Sequence, residues 1–212
     1  MIKSSIENVQ PEPKSISKQK PIVSTSAQVS ANAVLAAVRC VDIELAIMKE
    51  FDFRQNLIVP NVSNMMGIVP FETDMLVLTK SNYAYGFEIK ISKSDLKADF
   101  KKPQHENFDK PHPYSGKKGL DRYYSKFKHF SYVVPEHLKD CALELIPEFC
   151  GLYVCKIKEF RGYTTFTKTI LEVVRPPKKL FDYKWSEKQR YELARLGAMR
   201  IYALKGALSN RC

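Results

Sequence analysis

The sequence predicts a mixed α/β fold, on three observations. The elements read in the order helix, three strand-like runs, helix, then further strands with helices between them. Residues 83–91 alternate with period two: Tyr83, Tyr85, Phe87, Ile89 and Ile91 are large and apolar, while Ala84, Gly86, Glu88 and Lys90 fall between them. The chain has 212 residues, 44% of them hydrophobic, which suits one well-buried domain with appendages.

Residues 1–29 hold Pro11, Pro13 and Pro21 among many Ser, Gln and Lys, and read as a disordered tail. Order is expected from Ser30, and a domain from 30 to 180. Val34, Val38, Val41, Leu45 and Met48 step by three and four and predict a helix to about Asp52, with Glu44 on the flank of that stripe. Asn56 to Val59 is the first strand, taken to end at Pro60. Met75 to Thr79 is the second, apolar on both faces like a central strand. Ser81-Asn82 makes a short turn into the third, Tyr83 to Ile91. Its odd face should pack into a core, leaving Ala84, Gly86, Glu88 and Lys90 on the other face.

Ser92 or Ser94 can cap a short helix to about Lys101, with Asp95 in its first turn. Residues 103–120, with three prolines and two glycines, form a long basic loop. A short helix is expected over 121–128. Strands follow at 130–134, 152–157 and 165–174, with a helical piece between about 136 and 145. Ser186-x-x-Gln189 is a capping box. It opens a C-terminal helix, within 181–212, whose apolar face would be Leu193, Gly197, Ile201, Leu204 and Leu208, packed on the domain or extending it.

Thirty-four basic residues against 23 acidic give a net charge of +11, which favours a polyanionic partner. The excess is +6 within residues 90–128 and +7 within 175–212. No apolar run approaches the roughly 18 residues of a membrane span, and no apolar segment follows Lys3 as a secretory signal requires. Five cysteines without a C-x-x-C pair fit reduced thiols in a cytoplasmic protein. The four histidines, with Cys150 and Cys155, have no zinc spacing.

Strands two and three are joined by a short turn, so the start of one lies beside the end of the other. Asp74 should therefore stand close to Glu88 and Lys90. Two acids in apolar surroundings repel unless a positive group sits between them. A hard divalent cation, Mg²⁺ or Mn²⁺, does this, with the Ile89 carbonyl as a further ligand. Such a site suits phosphodiester hydrolysis: the metal polarises the phosphate and activates a water, and Lys90 orients that water. Ala84 and Gly86 would leave room for a nucleic-acid backbone.

Asp74, thirteen residues, then Glu88-Ile89-Lys90, preceded by a helix bearing Glu44, resembles the PD-(D/E)xK nuclease superfamily. The stretch from Glu88 to Asp99 also resembles its MmcB-like DNA-repair branch. The resemblance covers roughly residues 31–175. It implies a restriction-endonuclease-like mixed sheet flanked by helices, Asp74 and Glu88 as metal ligands, Lys90 as the catalytic lysine and Glu44 as an added acid. Thr73 stands where the motif has proline, as in many members. The implied activity is a Mg²⁺-dependent DNA endonuclease or exonuclease, acting alone or as a homodimer. Lys93, Lys97, Lys101 and Lys102 follow the site and are placed to hold flanking phosphates, with His105, Lys117 and Lys118 in the basic loop behind them. The alternatives are a non-catalytic nucleic-acid-binding module on the same fold, and a structural or interaction protein using its C-terminal helix.

Overall fold

Alternation of side chains and short turns between apolar runs build one sheet here. A computed structural model describes residues 38–63, 67–102, 105, 119–161 and 165–209. The elements are helix α1 (Cys40–Glu50), strands β1 (Leu57–Val62), β2 (Thr73–Leu78) and β3 (Ala84–Ile89), helices α2 (Lys93–Asp99) and α3 (Gly119–Tyr124), and strand β4 (His129–Pro135). A 3₁₀ turn (Glu136–Leu138), α4 (Lys139–Leu145), β5 (Gly151–Arg161), β6 (Thr165–Arg175) and α5 (Glu187–Ser209) complete the chain. The expected tail, Val34 and most of the basic loop, with Lys117 and Lys118, lie outside the described residues.

The six strands pair in sequence order. β1, β2 and β3 are antiparallel, β3, β4 and β5 parallel, and β5 and β6 antiparallel. Parallel neighbours need crossovers, and the two here run through α2–α3 and through α4. This is an α/β protein with a mixed sheet flanked by helices and a C-terminal helix. Among the described residues no helix is long and apolar enough to cross a membrane.

Pro60 does not end β1. It pairs with Met75, and the strand runs on to Val62. β1 is an edge strand, so the N–H that proline lacks is not required by a second neighbour. Asn61 takes a left-handed φ of 51° and Asn82, in the β2–β3 turn, one of 64°, a conformation asparagine tolerates.

The sheet has two covered faces, not one. Met75, Val77, Phe87 and Ile89 pack with Ile43 and Ile47 of α1. Leu76, Leu78, Ala84, Phe130, Tyr132, Val134, Leu152 and Val154 pack on the other side with residues of α2, α4 and α5. The face of β3 expected to be open is therefore interior. Ala84 and Gly86 do not admit a nucleic acid: a Cβ at Gly86 would lie 2.6 Å from the Phe130 ring and 3.0 Å from that of Phe127. Glycine there makes room for core aromatics. Gly86→Ala is expected to cost about 1–3 kcal/mol through overpacking, read as a lower urea midpoint at unchanged m-value.

Two helix faces also differ from expectation. In α1 the buried residues are Ile43, Ala46 and Ile47, while Val41 and Leu45 are exposed. Two apolar stripes interleave on this helix, and the one carrying two isoleucines took the sheet. In α5 the Ser186–Gln189 box forms, with the Ser186 N–H donating to Gln189 Oε1 at 2.9 Å. Its first half carries the buried face: Leu193 and Leu196 are buried, and Gly197 lies against Val59 of β1. Ile201, Leu204 and Leu208 are more than half exposed. The helix has 23 residues, about 34 Å, and β1 only six, about 20 Å, so it outruns the strand it covers.

Candidate active site at the end of β3

The β2–β3 register pairs Met75 with Phe87 and Leu76 with Gly86. One further step sets Asp74 opposite Glu88, on the face shared with α2. Lys90 follows two residues later and points the same way. Its Nζ lies 2.7 Å from Glu88 Oε2, 3.7 Å from Asp74 Oδ2 and 3.3 Å from Asp99 Oδ1. Three carboxylates thus converge on one ammonium.

Glu88 and Lys90 are nearly inaccessible, at 2% and 4% exposed. Asp74, with 32% of its side chain exposed, is the part of the cluster that meets solvent. Burial, then the nearby Asp74 charge, push the Glu88 carboxyl up to about 8 against the pull of Lys90. Burial opposes the charge on Lys90, but Glu88, Asp99 and Asp74 together hold its ammonium above the ordinary lysine value. Lys90 is therefore a fixed positive charge.

Asp99 was not singled out from the sequence. It is the C-terminal residue of α2, buried three positions after Leu96 on the inward face. Tyr132 Oη donates to its Oδ2 at 2.7 Å, and His105 Nε2 lies 3.1 Å from the same oxygen. Lys102 Nζ lies 2.6 Å from Oδ1. Burial alone would raise this carboxyl, but His105, Lys90, Lys102 and Tyr132 outweigh it and hold it well below the usual carboxylate range. The signal available was an acid at an inward helical position, i+3 from a leucine.

Of the other residues expected at the site, Lys102 and His105 join the cluster through Asp99, and Glu44, Lys93, Lys97 and Lys101 stand apart from it. Glu44 is half-buried on α1 with Oε1 3.7 Å from Cys40 Sγ, and is joined to that thiol and not to the carboxylates. The Cys40 thiol is pushed up to about 11 by burial, then by Glu44 and Asp74. Lys93, Lys97 and Lys101 are exposed along and just beyond α2. Lys102 is spoken for by Asp99. His105 is turned inward, its side chain 3% exposed, and is not presented to a phosphate. Packing against Phe100 and bonding to Asp99 and Tyr132 account for that orientation.

Among the described residues no three His, Cys, Asp or Glu side chains form a group that could hold a metal ion by themselves. A hard cation bound through one or two carboxylates and water needs less. Asp74 and Glu88 supply two carboxylates, and Glu88 Oε1 is buried with no hydrogen-bond partner among the described residues. The Ile89 N–H donates to Asp74 Oδ2 at 2.7 Å. A strand residue's N–H and C=O point to the same side, so the Ile89 carbonyl also lies toward Asp74. This donor set fits a divalent cation.

No family model matches the chain, and no curated protein matches it. Among solved structures it is similar to the SPO1766 protein of unknown function from Silicibacter pomeroyi. That likeness has a TM-score of 0.46 and 16% identity, and covers 78% of this chain and 88% of the other.

Proposed function

We propose that the protein is a metal-dependent nuclease of the PD-(D/E)xK type, hydrolysing phosphodiester bonds of DNA. The observation that carries this reading is the convergence of Asp74, Glu88 and Lys90 at the end of β3, with a buried carboxylate oxygen of Glu88 that has no hydrogen-bond partner among the described residues. Asp74, Glu88 and the Ile89 carbonyl would hold Mg²⁺ or Mn²⁺. Such an ion, when bound, polarises the phosphate and lowers the pKa of a bound water.

The chain's own residues do the rest. Lys90 stays charged, orients the attacking water and offsets charge growing on the phosphoryl oxygens. Asp99 positions Lys90, and is itself fixed by Tyr132 and His105. Substrate approaches from the side of Asp74, where the cluster meets solvent. Lys93, Lys97 and Lys101 lie exposed beyond it, available to flanking phosphates. The thiols of Cys40, Cys141, Cys150 and Cys155 are free, which accords with a reducing, cytoplasmic setting.

The test is incubation with linear, circular and branched DNA in Mg²⁺ and in Mn²⁺, beside Glu88→Gln. Cleavage by the parent protein, and a loss on the order of a thousandfold in the variant, is the expected result. Equal cleavage by both, or none by the parent on any substrate, overturns the reading. Salt-dependent binding without cleavage would instead mark a non-catalytic nucleic-acid-binding module.

A further inference from the structure

β5 and β6 are 11 residues each and outrun their neighbours. The last β4–β5 pair is Pro135 with Cys155, so residues 156–161 of β5 pair with β6 alone, as a two-stranded ribbon. β3, β4 and β5 run parallel, so the ribbon projects past the same end of the sheet that carries Glu88 and Lys90.

Its faces follow from alternation. Leu152 and Val154 belong to the core on the Glu88 side, and Tyr153 and Cys155 to the core under α1. Lys156, Lys158 and Phe160 therefore continue the Glu88 side. Across the strand pair, Lys158 opposes Lys168 and Phe160 opposes Phe166, which puts all four on that face. Lys156 is held between Glu136 and Glu172, each at 2.9 Å. Lys158 and Lys168 have no ion pair among the described residues. Like charges directly opposed across a strand pair destabilise it, and a polyanion relieves the repulsion. Phe160 and Phe166 stack on each other, with ring centroids 5.4 Å apart and planes at 14°. They stay 41% and 55% exposed, so their outer surfaces are open.

A basic pair followed by an aromatic pair is the chemistry of a single-stranded nucleic-acid surface: cations for phosphates, π-faces for bases. Bases within a duplex are already stacked and offer no face to a ring. We propose that the β5–β6 ribbon is an arm that holds unpaired nucleic acid leading to the Glu88 site, with Phe160 and Phe166 stacking on bases and Lys158 and Lys168 contacting phosphates. Its bearing on cleavage rests on the nuclease reading; its binding role does not. The register aligns Glu88 with Tyr132 and Leu152, so Phe160 lies eight strand residues further on, about 26 Å.

The test measures binding in EDTA, without cleavage. The full chain is titrated against a fluorescent single-stranded 20-mer and a blunt duplex of the same sequence, at several salt concentrations. Phe160→Ala/Phe166→Ala is expected to weaken single-strand binding at least about tenfold and to leave duplex binding within about twofold. Lys158→Ala/Lys168→Ala is expected to lower the single-strand salt slope by about 1.4, at about 0.7 per lost phosphate contact. Phe160→Leu/Phe166→Leu keeps the apolar bulk and should bind as poorly as the alanine pair. Phe160→Trp/Phe166→Trp keeps the stack and should bind as well as the parent. Unchanged single-strand affinity in the alanine and leucine pairs, or equal loss on both DNAs, overturns the proposal. So does binding of the parent to anionic vesicles that depends on the two rings while binding to DNA does not. If the parent cleaves DNA but the ring variants bind normally, the arm fails and the nuclease reading stands. If the rings matter for binding but nothing is cut, the reverse holds.

Discussion

On the nuclease reading, Lys90→Ala is expected to cut cleavage steeply and, at the same time, to turn the carboxylate cluster into a better cation site. The ammonium sits among Glu88, Asp99 and Asp74, and two of those acids are buried. Removing one partner of a buried ion pair leaves uncompensated charge, at a cost of about 3–5 kcal/mol. Part of that cost falls away because Glu88, already displaced to about 8, can take up a proton. A divalent ion entering the space repays more of it. Thermal denaturation should show a lower midpoint for the variant in EDTA. Mg²⁺ or Mn²⁺ should then raise that midpoint by more than it raises the parent's, since a ligand of the folded state stabilises it according to its affinity. Cleavage should fall by about two to three orders of magnitude, because the donor proposed for the phosphoryl oxygens is gone. A variant with parental cleavage would remove Lys90 from the mechanism. A variant whose midpoint ignores both metals would show that the cluster is an ion-pair network and no cation site.

The parts of this arrangement that the sequence makes legible are those set by local pattern. Alternation in Tyr83–Ile91 and the short turn before it are enough to bring Asp74 to Glu88, because antiparallel pairing needs no distant partner. What the other side of that strand meets is not local. Ala84 and Gly86 look like an opening until Phe127 and Phe130 arrive from forty residues away in the sequence to fill it. Asp99 escapes for the same reason. Its partners are Lys90, Lys102, His105 and Tyr132, and only the parallel pairing of β3 with β4 brings Tyr132 beneath α2. On α1, Val41 and Leu45 are as apolar as Ile43 and Ile47, so periodicity gives a helix but not the side it buries. The ribbon is legible only as two strands; that they outrun the sheet depends on where β4 stops.

Asp99→Asn should cost the protein on the order of 3 kcal/mol and remove its loss of stability in acid. The Asp99 carboxyl is held well below its ordinary value by His105, Lys90, Lys102 and Tyr132, in spite of burial. A depressed carboxyl contributes stability that is fully present above the unfolded value, about 3.9, and is lost as pH falls through the folded one. Glu88 works the other way. Burial raises its carboxyl to about 8, so ionising it is harder in the folded chain, and its contribution declines as pH rises from about 4.5 to about 8. The two slopes oppose each other across one cluster. In metal-free buffer the parent should therefore be most stable near pH 4–5 and decline on both sides. Urea midpoints measured from pH 2 to 9 read this directly. Asp99→Asn should lose the acid limb and keep the alkaline one; Glu88→Gln should flatten the alkaline limb and keep the acid one. An Asp99→Asn profile that still falls steeply below pH 4 would mean that other carboxylates carry the acid response, and that Asp99 is not the anchor of Lys90.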